Sequence, residues 1–227
     1  MIRETPSERR VEAMFDSVVE RYDLVNLLLS LGLDRRWRVR TAEALAARGE
    51  PVLDFGCGTG RLGELLAGRA RVVGLDLSQR MLASARGRLG SRMALVRGSV
   101  FALPFGDGVF AEAMSAFVLR NLDDLPRAFS ELARVVVPGG GLAVVDISGP
   151  RRRLPRKAFD AYFGAAASLL GRLAGEAEAY RYLTRSLAQL PMPEVLCSII
   201  EKCGFGAVEA HPFDGGMVTL WTAMRNT

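Results

Sequence analysis

Nine residues carry the densest chemical signal in the chain: Val52-Leu53-Asp54-Phe55-Gly56-Cys57-Gly58-Thr59-Gly60. Glycines let a backbone turn tightly and approach a ligand closely, and a helix opening after such a loop presents N–H groups to an anion. Asp76 follows 22 residues after Asp54, where an acid accepts hydrogen bonds from ribose hydroxyls in nucleoside-binding sheets. Two cofactors compete for this arrangement. A dinucleotide fingerprint reads G-x-G-x-x-G, whereas this loop reads Gly56-x-Gly58-x-Gly60 with an acid just before it. A carboxylate at Asp54 repels a pyrophosphate and suits the ammonium of S-adenosylmethionine, so NAD is the losing reading.

These residues need a frame that holds two strand tips side by side. Residues 51–55 form a short apolar run stopped by glycine, the mark of a buried strand. A helix is expected from Arg61 to about Gly68, a strand over 71–75, and a helix capped by Ser78 reaching about Leu89. Residues 94–97 and 109–115 read as strands. Residues 125–136 read as a helix ended by Pro138-Gly139-Gly140, and 142–147 as a strand. Residues 207–213 and 217–223 flank Asp214-Gly215-Gly216 as a hairpin. Strands alternating with helices imply a mostly parallel sheet. The expected fold is α/β, a Rossmann-like doubly wound sheet of about seven strands whose C-terminal hairpin adds one antiparallel strand, in a single domain spanning 1–227.

Two stretches do not fit the sheet. Residues 6–48 read as two or three helices, with Val11, Met14, Phe15 and Val18, then Leu24, Leu27, Leu28 and Leu31, at helical spacing. Residues 152–203 return to that spacing, broken at Pro191 and Pro193. Residues 1–50 and 150–203 are therefore expected as helical caps over the carboxyl edge of the sheet, where open α/β sheets bind ligands.

Composition removes several classes of chemistry. The single histidine, His211, makes a His-built zinc site or a Ser-His-Asp triad untenable, and no metal site is expected. Cys57, Cys197 and Cys203 are an odd count without metal-ligand spacing, which suits free thiols in a reducing compartment. The charged first fifteen residues argue against a signal peptide. No uncharged apolar run approaches the ~18 residues that span a bilayer. A cytoplasmic location is expected. The formal charge of +5 favours anionic surfaces, but the arginines are scattered and no RNA-binding module is appended, so nucleic acid is not expected as a partner.

The D-x-G-x-G-x-G pattern resembles motif I of the Rossmann-like methyltransferases. Ser78 and Met81-Leu82 resemble their "D-x-S-x-x-M-L" stretch. Gly98-Ser99-Val100 with Leu103-Pro104-Phe105 resembles their adenine-binding segment, although the family usually carries Asp or Asn where Ser99 stands. Arg134 to Gly140 resembles their "R-V-L-K-P-G-G" turn. The resemblance to the ubiquinone/menaquinone C-methyltransferase family covers nearly the full length: Tyr22-Asp23-Leu24-Val25-Asn26, Ser30 and Arg36-Trp37 follow its "Y-D-x-M-N…S…H-x-x-W". Phe117-Val118-Leu119-Arg120-Asn121 follows "F-G-L-R-N", Val145-Asp146-Ile147-Ser148 follows "L-E-F-S", and Tyr180-Arg181-Tyr182-Leu183 with Ser186 follows "Y-x-Y-L…S". Gly215-Gly216 matches a late glycine pair. Val25, Asp34, Val118 and Trp221 depart from the pattern.

The resemblance implies S-adenosylmethionine held by Asp54, Gly56, Gly58, Thr59, Asp76, Leu77, Ser99, Val100 and Ser115. It implies an isoprenoid quinol as substrate, methylated at a ring carbon, with Arg120, Asn121 and Tyr22 as catalytic residues. Arg120 would stabilise the ring oxyanion, Asn121 would orient a ring oxygen or a water, and Tyr22 would line the pocket. The base that takes the ring proton stays open. An isoprenoid tail needs an apolar entrance, for which Leu27-Leu28-Leu29, Leu169-Leu170 and Leu173 are candidates, cap packing being the alternative. Arg151-Arg152-Arg153 and Arg156-Lys157 could rest on an anionic membrane surface. A homodimer is left open, as are two rivals: a methyltransferase of another small molecule or lipid, and a non-catalytic cofactor-binding subunit of a quinone-synthesis complex.

Overall fold

The computed structural model describes residues 6–46, 50–149, 161–162, 164–165 and 190–227. Strands β1 (Pro51–Phe55), β2 (Arg71–Asp76), β3 (Met93–Arg97), β4 (Phe110–Ala116), β5 (Val136–Ile147), β6 (Phe205–Phe213) and β7 (Val218–Arg225) build one sheet in the order β3-β2-β1-β4-β5-β7-β6. The first five are parallel, and β7 runs against both β5 and β6. The chain reverses its direction across the sheet at β1. The loops after β1 and β4 therefore leave the sheet toward opposite sides and open a crevice between them.

Val52, Leu53 and Phe55 are fully buried, as expected of a strand covered on both faces. Val52 belongs to a core layer with Leu62, Leu66, Val72, Trp37, Val145 and Leu220. Leu53 and Phe55 pack on the other face with Phe110, Phe129, Leu132, Val144 and Trp221. Trp221, one of the departures from the family pattern, is thus core, its indole N–H donating to the Pro193 carbonyl at 3.3 Å.

The helices are α1 (Pro6–Leu29), α2 (Asp34–Glu43), α3 (Gln79–Leu89), α4 (Leu125–Val135) and α5 (Pro193–Lys202). Ser78 caps α3 by accepting from Met81 N at 3.0 Å, and Asp124 caps α4 by accepting from Arg127 N at 3.0 Å. Pro193 begins α5 rather than breaking a helix, because the first helical turn does not need its N–H.

Three expectations change. The helix over 61–68 is a 3₁₀ turn, Gly63–Leu65, flanked by turns. Gly60, Gly63 and Gly68 weaken an α-helix, and the Gly63 N–H is drawn to the Asp54 carboxylate at 3.0 Å. Helix α4 ends at Val135 and β5 begins at once, so Pro138-Gly139-Gly140 lies inside β5. There the register slips: Phe110 pairs with Val136 but Glu112 with Gly141. A Cβ on Gly140 would lie 2.3 Å from the Ala111 carbonyl oxygen. Finally, cap packing, the alternative offered for Leu27-Leu28-Leu29, holds for Leu29 at 6% exposure but not for Leu27 and Leu28, which are 44% and 46% exposed; Leu24 and Leu31 are exposed as well. The expected roles of Arg151-Arg152-Arg153, Arg156-Lys157, Leu169-Leu170, Leu173, Tyr180-Arg181-Tyr182-Leu183 and Ser186 fall outside the described residues, as does most of the second cap.

Candidate active site

The glycine loop leaves β1 with Gly56, Gly58 and Gly60 all at positive φ (+63°, +54° and +80°), a conformation that L side chains rarely adopt. Space adds to the demand at Gly56, where a Cβ would lie 2.4 Å from Val118 Cγ2, and at Gly60, where it would lie 2.7 Å from Leu89 Cδ1. At Gly58 a Cβ would meet nothing within 4 Å, so there the backbone faces open space.

Asp76 anchors the loop from the next strand. One carboxylate oxygen accepts from Gly58 N at 2.8 Å and the other from Ser78 N at 2.9 Å. Burial pushes its carboxyl up to about 6, against the lowering effect of those two N–H bonds. Asp54 lies deeper, accepting from Gly63 N, and burial pushes it up to about 7, opposed first by the charge of Arg38. Asp76 raises Asp54 only slightly, and Asp16 and Glu12 on α1 add to the rise at Asp76; desolvation dominates at both.

A cleft of about 780 Å³, open solvent at its mouth included, runs over these loops. Gly56, Gly58, Asp76, Leu77, Gly98 and Val100 face it from the sheet, and Tyr22 and Asn121 face it from the other side. Helix α1 supplies its cover. Glu8, Glu12, Asp16 and Asp23 fall within one narrow stripe of that helix, since steps of four and seven residues return to the same face. Each bonds to a loop at the sheet edge: Glu8 to Ser99, Glu12 to Arg97, Asp16 to Ser78, and Asp23 to Thr59 and Arg88.

A second cleft, about 490 Å³, adjoins the first and is lined by Asn26, Leu29, Ser30, Asp34, Trp37, Arg120, Ile147, Met217 and Val218. Phe117 lines both. It sits at φ +67°, unusual for a bulky residue, with its N–H held by the Val145 carbonyl at 2.8 Å. Its ring has the Arg38 guanidinium 5.0 Å and the Arg120 guanidinium 5.9 Å from its centroid, and Trp37 edge-on at 6.0 Å.

Arg120 is 3% exposed. Its Nη1 donates to Asp146 Oδ1 at 2.6 Å and its backbone N to Asp146 Oδ2 at 3.2 Å. Its Nε finds no hydrogen-bond partner among the described residues. A buried orphan donor costs about 1–3 kcal/mol, a cost that an oxygen reaching this guanidinium would relieve. The far wall is tied by Trp37 Nε1 donating to Asp214 Oδ2 at 2.5 Å, and by Asp34 between Arg38 and Arg61.

Of the residues singled out from sequence, Gly56, Gly58, Asp76, Leu77, Val100, Tyr22 and Asn121 share the first cleft and Arg120 lines the second. Asp54, Thr59, Ser99 and Ser115 are buried and outside both linings. Thr59 donates to Asp23 Oδ1 at 2.8 Å, Ser99 to Glu8, and Ser115 to the Phe55 carbonyl at 2.7 Å. Sequence reasoning did not single out Phe117, Glu8 or Asp146 for a role. For Phe117 and Asp146 the signal was only their place in quoted motifs; for Glu8 there was none.

Among the described residues there is no cluster of His, Cys, Asp and Glu fit to hold a metal ion, and no helix is long and apolar enough to cross a membrane. His211 sits on β6, bonded to Thr222 Oγ1 at 3.1 Å.

A cleft over the tips of β1 and β2, with a carboxylate braced by backbone N–H groups and an open glycine beside it, has the donors and acceptors of a nucleoside site. Solved structures share the frame: phosphoethanolamine N-methyltransferase 2 of Haemonchus contortus, in complex with S-adenosyl-L-methionine, superposes with a TM-score of 0.71 at 14% identity, over 99% of this chain and 61% of that one. Two curated relatives are far nearer in sequence. Demethylmenaquinone methyltransferase of Clavibacter sepedonicus is 39% identical, over 95% of this chain and 90% of its own length. That of Thermus thermophilus is 40% identical, over 85% and 91%. The profile of one family runs from residue 3 to residue 225, across the glycine loop, both clefts and the closing hairpin. The chain belongs to the ubiE/COQ5 methyltransferase family.

Proposed function

We propose that this methyltransferase moves the methyl group of S-adenosylmethionine to a ring carbon of a reduced, demethylated isoprenoid quinone. The observation that carries the reading is the pair of clefts meeting at Phe117, one over nucleoside-type loops, the other around a buried guanidinium with an unmet donor. The names of the relatives, which methylate demethylmenaquinone, point to the same acceptor.

Asp76 would hold the ribose hydroxyls, and Gly56, Gly58, Leu77 and Val100 the rest of the nucleoside. Asp54, Thr59, Ser99 and Ser115 would act one layer back, fixing the loops that do the holding. The cofactor supplies an electrophilic methyl on a sulfonium whose charge vanishes on transfer. The chain must therefore align the acceptor and exclude water.

Arg120 would hold the ring oxygen as its phenolate, making the ring carbon nucleophilic. Asp146 fixes the guanidinium through Nη1 at 2.6 Å and the backbone beneath it through the Arg120 N–H at 3.2 Å, so little reorganisation is needed when the charge arrives. Asn121, braced by the Phe117 carbonyl at 3.4 Å, and Tyr22 would face the reacting ring from the cofactor side. A water held among Arg120, Asn121 and Tyr22 would take the ring proton. The exposed Leu24, Leu27, Leu28 and Leu31 run from the second cleft, where Leu29 and Asn26 line the wall, and offer an apolar path for the tail at a membrane surface.

Purified protein with a short-tailed demethylmenaquinol and labelled S-adenosylmethionine should yield the ring-methylated product. In cells lacking the gene, mass spectrometry should find the demethylated quinone. An unchanged quinone pool would overturn the acceptor.

A further inference from the structure

The ribose carboxylate belongs to β2, so in the order β3-β2-β1 a base attached to that ribose lies toward the end of β3. There the cleft wall is Gly98, Val100 and Phe101, apolar surfaces suited to the faces of a purine. The polar edge of the base needs a partner, and Ser99 is not placed to supply it. Its hydroxyl donates its proton to the Glu8 carboxylate and accepts from Phe101 N at 3.1 Å, and it lies outside the cleft lining. Glu8 itself lines the cleft at this end while being only 5% exposed. Glu12, its neighbour on the same stripe of α1, is engaged with Arg97 at 2.8 Å.

We infer that Glu8 recognises the exocyclic amino group of the adenine, and that Ser99 is a positioning residue that fixes the Glu8 carboxylate. This rests on the nucleoside-cofactor reading above. An ionised carboxylate only accepts hydrogen bonds, which matches an amino group and no other substituent at that carbon. A carboxylate that a strand-end Asp would carry thus arrives from α1, 91 residues away in sequence. Recognition of the base is thereby coupled to seating of the helix that covers it.

The test is calorimetry with two probes, S-adenosylhomocysteine and its 6-deamino analogue, in which hydrogen replaces the amino group. The wild-type chain should prefer the amino compound by about tenfold or more, the scale of one hydrogen bond to a charged group. Glu8→Ala should bind both probes alike, at the level of the analogue. Glu8→Gln, which keeps an acceptor oxygen, should retain part of the preference. Ser99→Ala should lower the ratio of the two affinities, whatever it does to binding of the analogue, and it reports even if Glu8→Ala does not fold. Adding Ser99→Asp to Glu8→Ala should restore the preference. An undiminished ratio in Glu8→Ala would overturn the proposal and leave the cofactor reading intact. Failure of the wild-type chain to bind S-adenosylhomocysteine at all would overturn both.

Discussion

The two clefts are built by different means. Around the first, the backbone does most of the work: three positive-φ glycines, and two N–H groups on Asp76. Around the second, side chains from distant segments converge. Trp37 reaches Asp214 across 177 residues, and Arg120 reaches Asp146 across 26. A backbone site tolerates changes of side chain away from its glycines, so it can serve any methyltransferase. A side-chain site is particular to one acceptor. Exchange of acceptor should therefore rewrite the second cleft and leave the first alone.

The sharpest way to break that contrast is Arg120→Ala. It should lower turnover by about 10²–10³-fold, the scale of one lost oxyanion donor, while the dissociation constant for S-adenosylmethionine stays within about twofold. Asp146 is left buried without its partner, at a cost of roughly 3–5 kcal/mol, so the comparison is made well below the melting temperature. Equal loss of binding and turnover would mean that the clefts are not separable.

Asp76→Asn probes the other half. Weakened ribose hydrogen bonds should raise the cofactor dissociation constant by about 10–100-fold, with kcat at saturation changed far less. A fall in kcat without a change in binding would reassign Asp76.

Proton linkage should distinguish the clefts as well. Asp54 and Asp76 titrate near 7 and 6, above the ordinary 3.8, so the folded chain holds protons that an unfolded one has released. Their effect on stability is favourable at low pH and is lost as pH rises through 6 and 7. A cationic cofactor binds the ionised forms, so its affinity should climb between pH 5.5 and 7.5 as apo stability falls. A flat affinity profile by calorimetry would remove Asp76 from cofactor recognition and Asp54 from support of the loop.

The smallest effect belongs to Trp37→Phe. Losing one half-buried hydrogen bond to Asp214 should cost about 1 kcal/mol of stability and raise KM for the quinol about threefold, with cofactor affinity unmoved. A larger shift in the cofactor than in the quinol would place Trp37 on the wrong side of Phe117.

The same contrast explains what the sequence could reveal. The glycines and Asp76 were legible because a backbone conformation restricts residue type locally, and β1 was legible because burial on both faces demands an apolar run. The turn at 63–65 was missed because the bond between Asp54 and Gly63 competes with helix continuation over nine residues, which periodicity does not register. The end of α4 was legible to within a residue, but the start of β5 was placed too late because pairing of Val136 with Phe110 overrode the Pro-Gly-Gly signal. Arg120 and Tyr22 surfaced only through resemblance, and Glu8 stayed silent: nothing near a first-turn glutamate tells that it will meet residue 99. For Leu27 and Leu28 the sequence left entrance and cap packing both open, because spacing identifies an apolar stripe, not what covers it.

Helix α1 is fastened over the nucleoside cleft by acids on a single stripe, which grip the end of β3, the start of α3 and the glycine loop. If cofactor exchange passes under this cover, it should depend on how readily those contacts are released. Two of them, Glu12 with Arg97 and Asp23 with Arg88, are charge pairs near the surface, which mobile ions weaken over a distance of about 10 Å at ~0.1 M salt. The residence time of the nucleoside should accordingly shorten as ionic strength rises, although none of these contacts involves the methyl group.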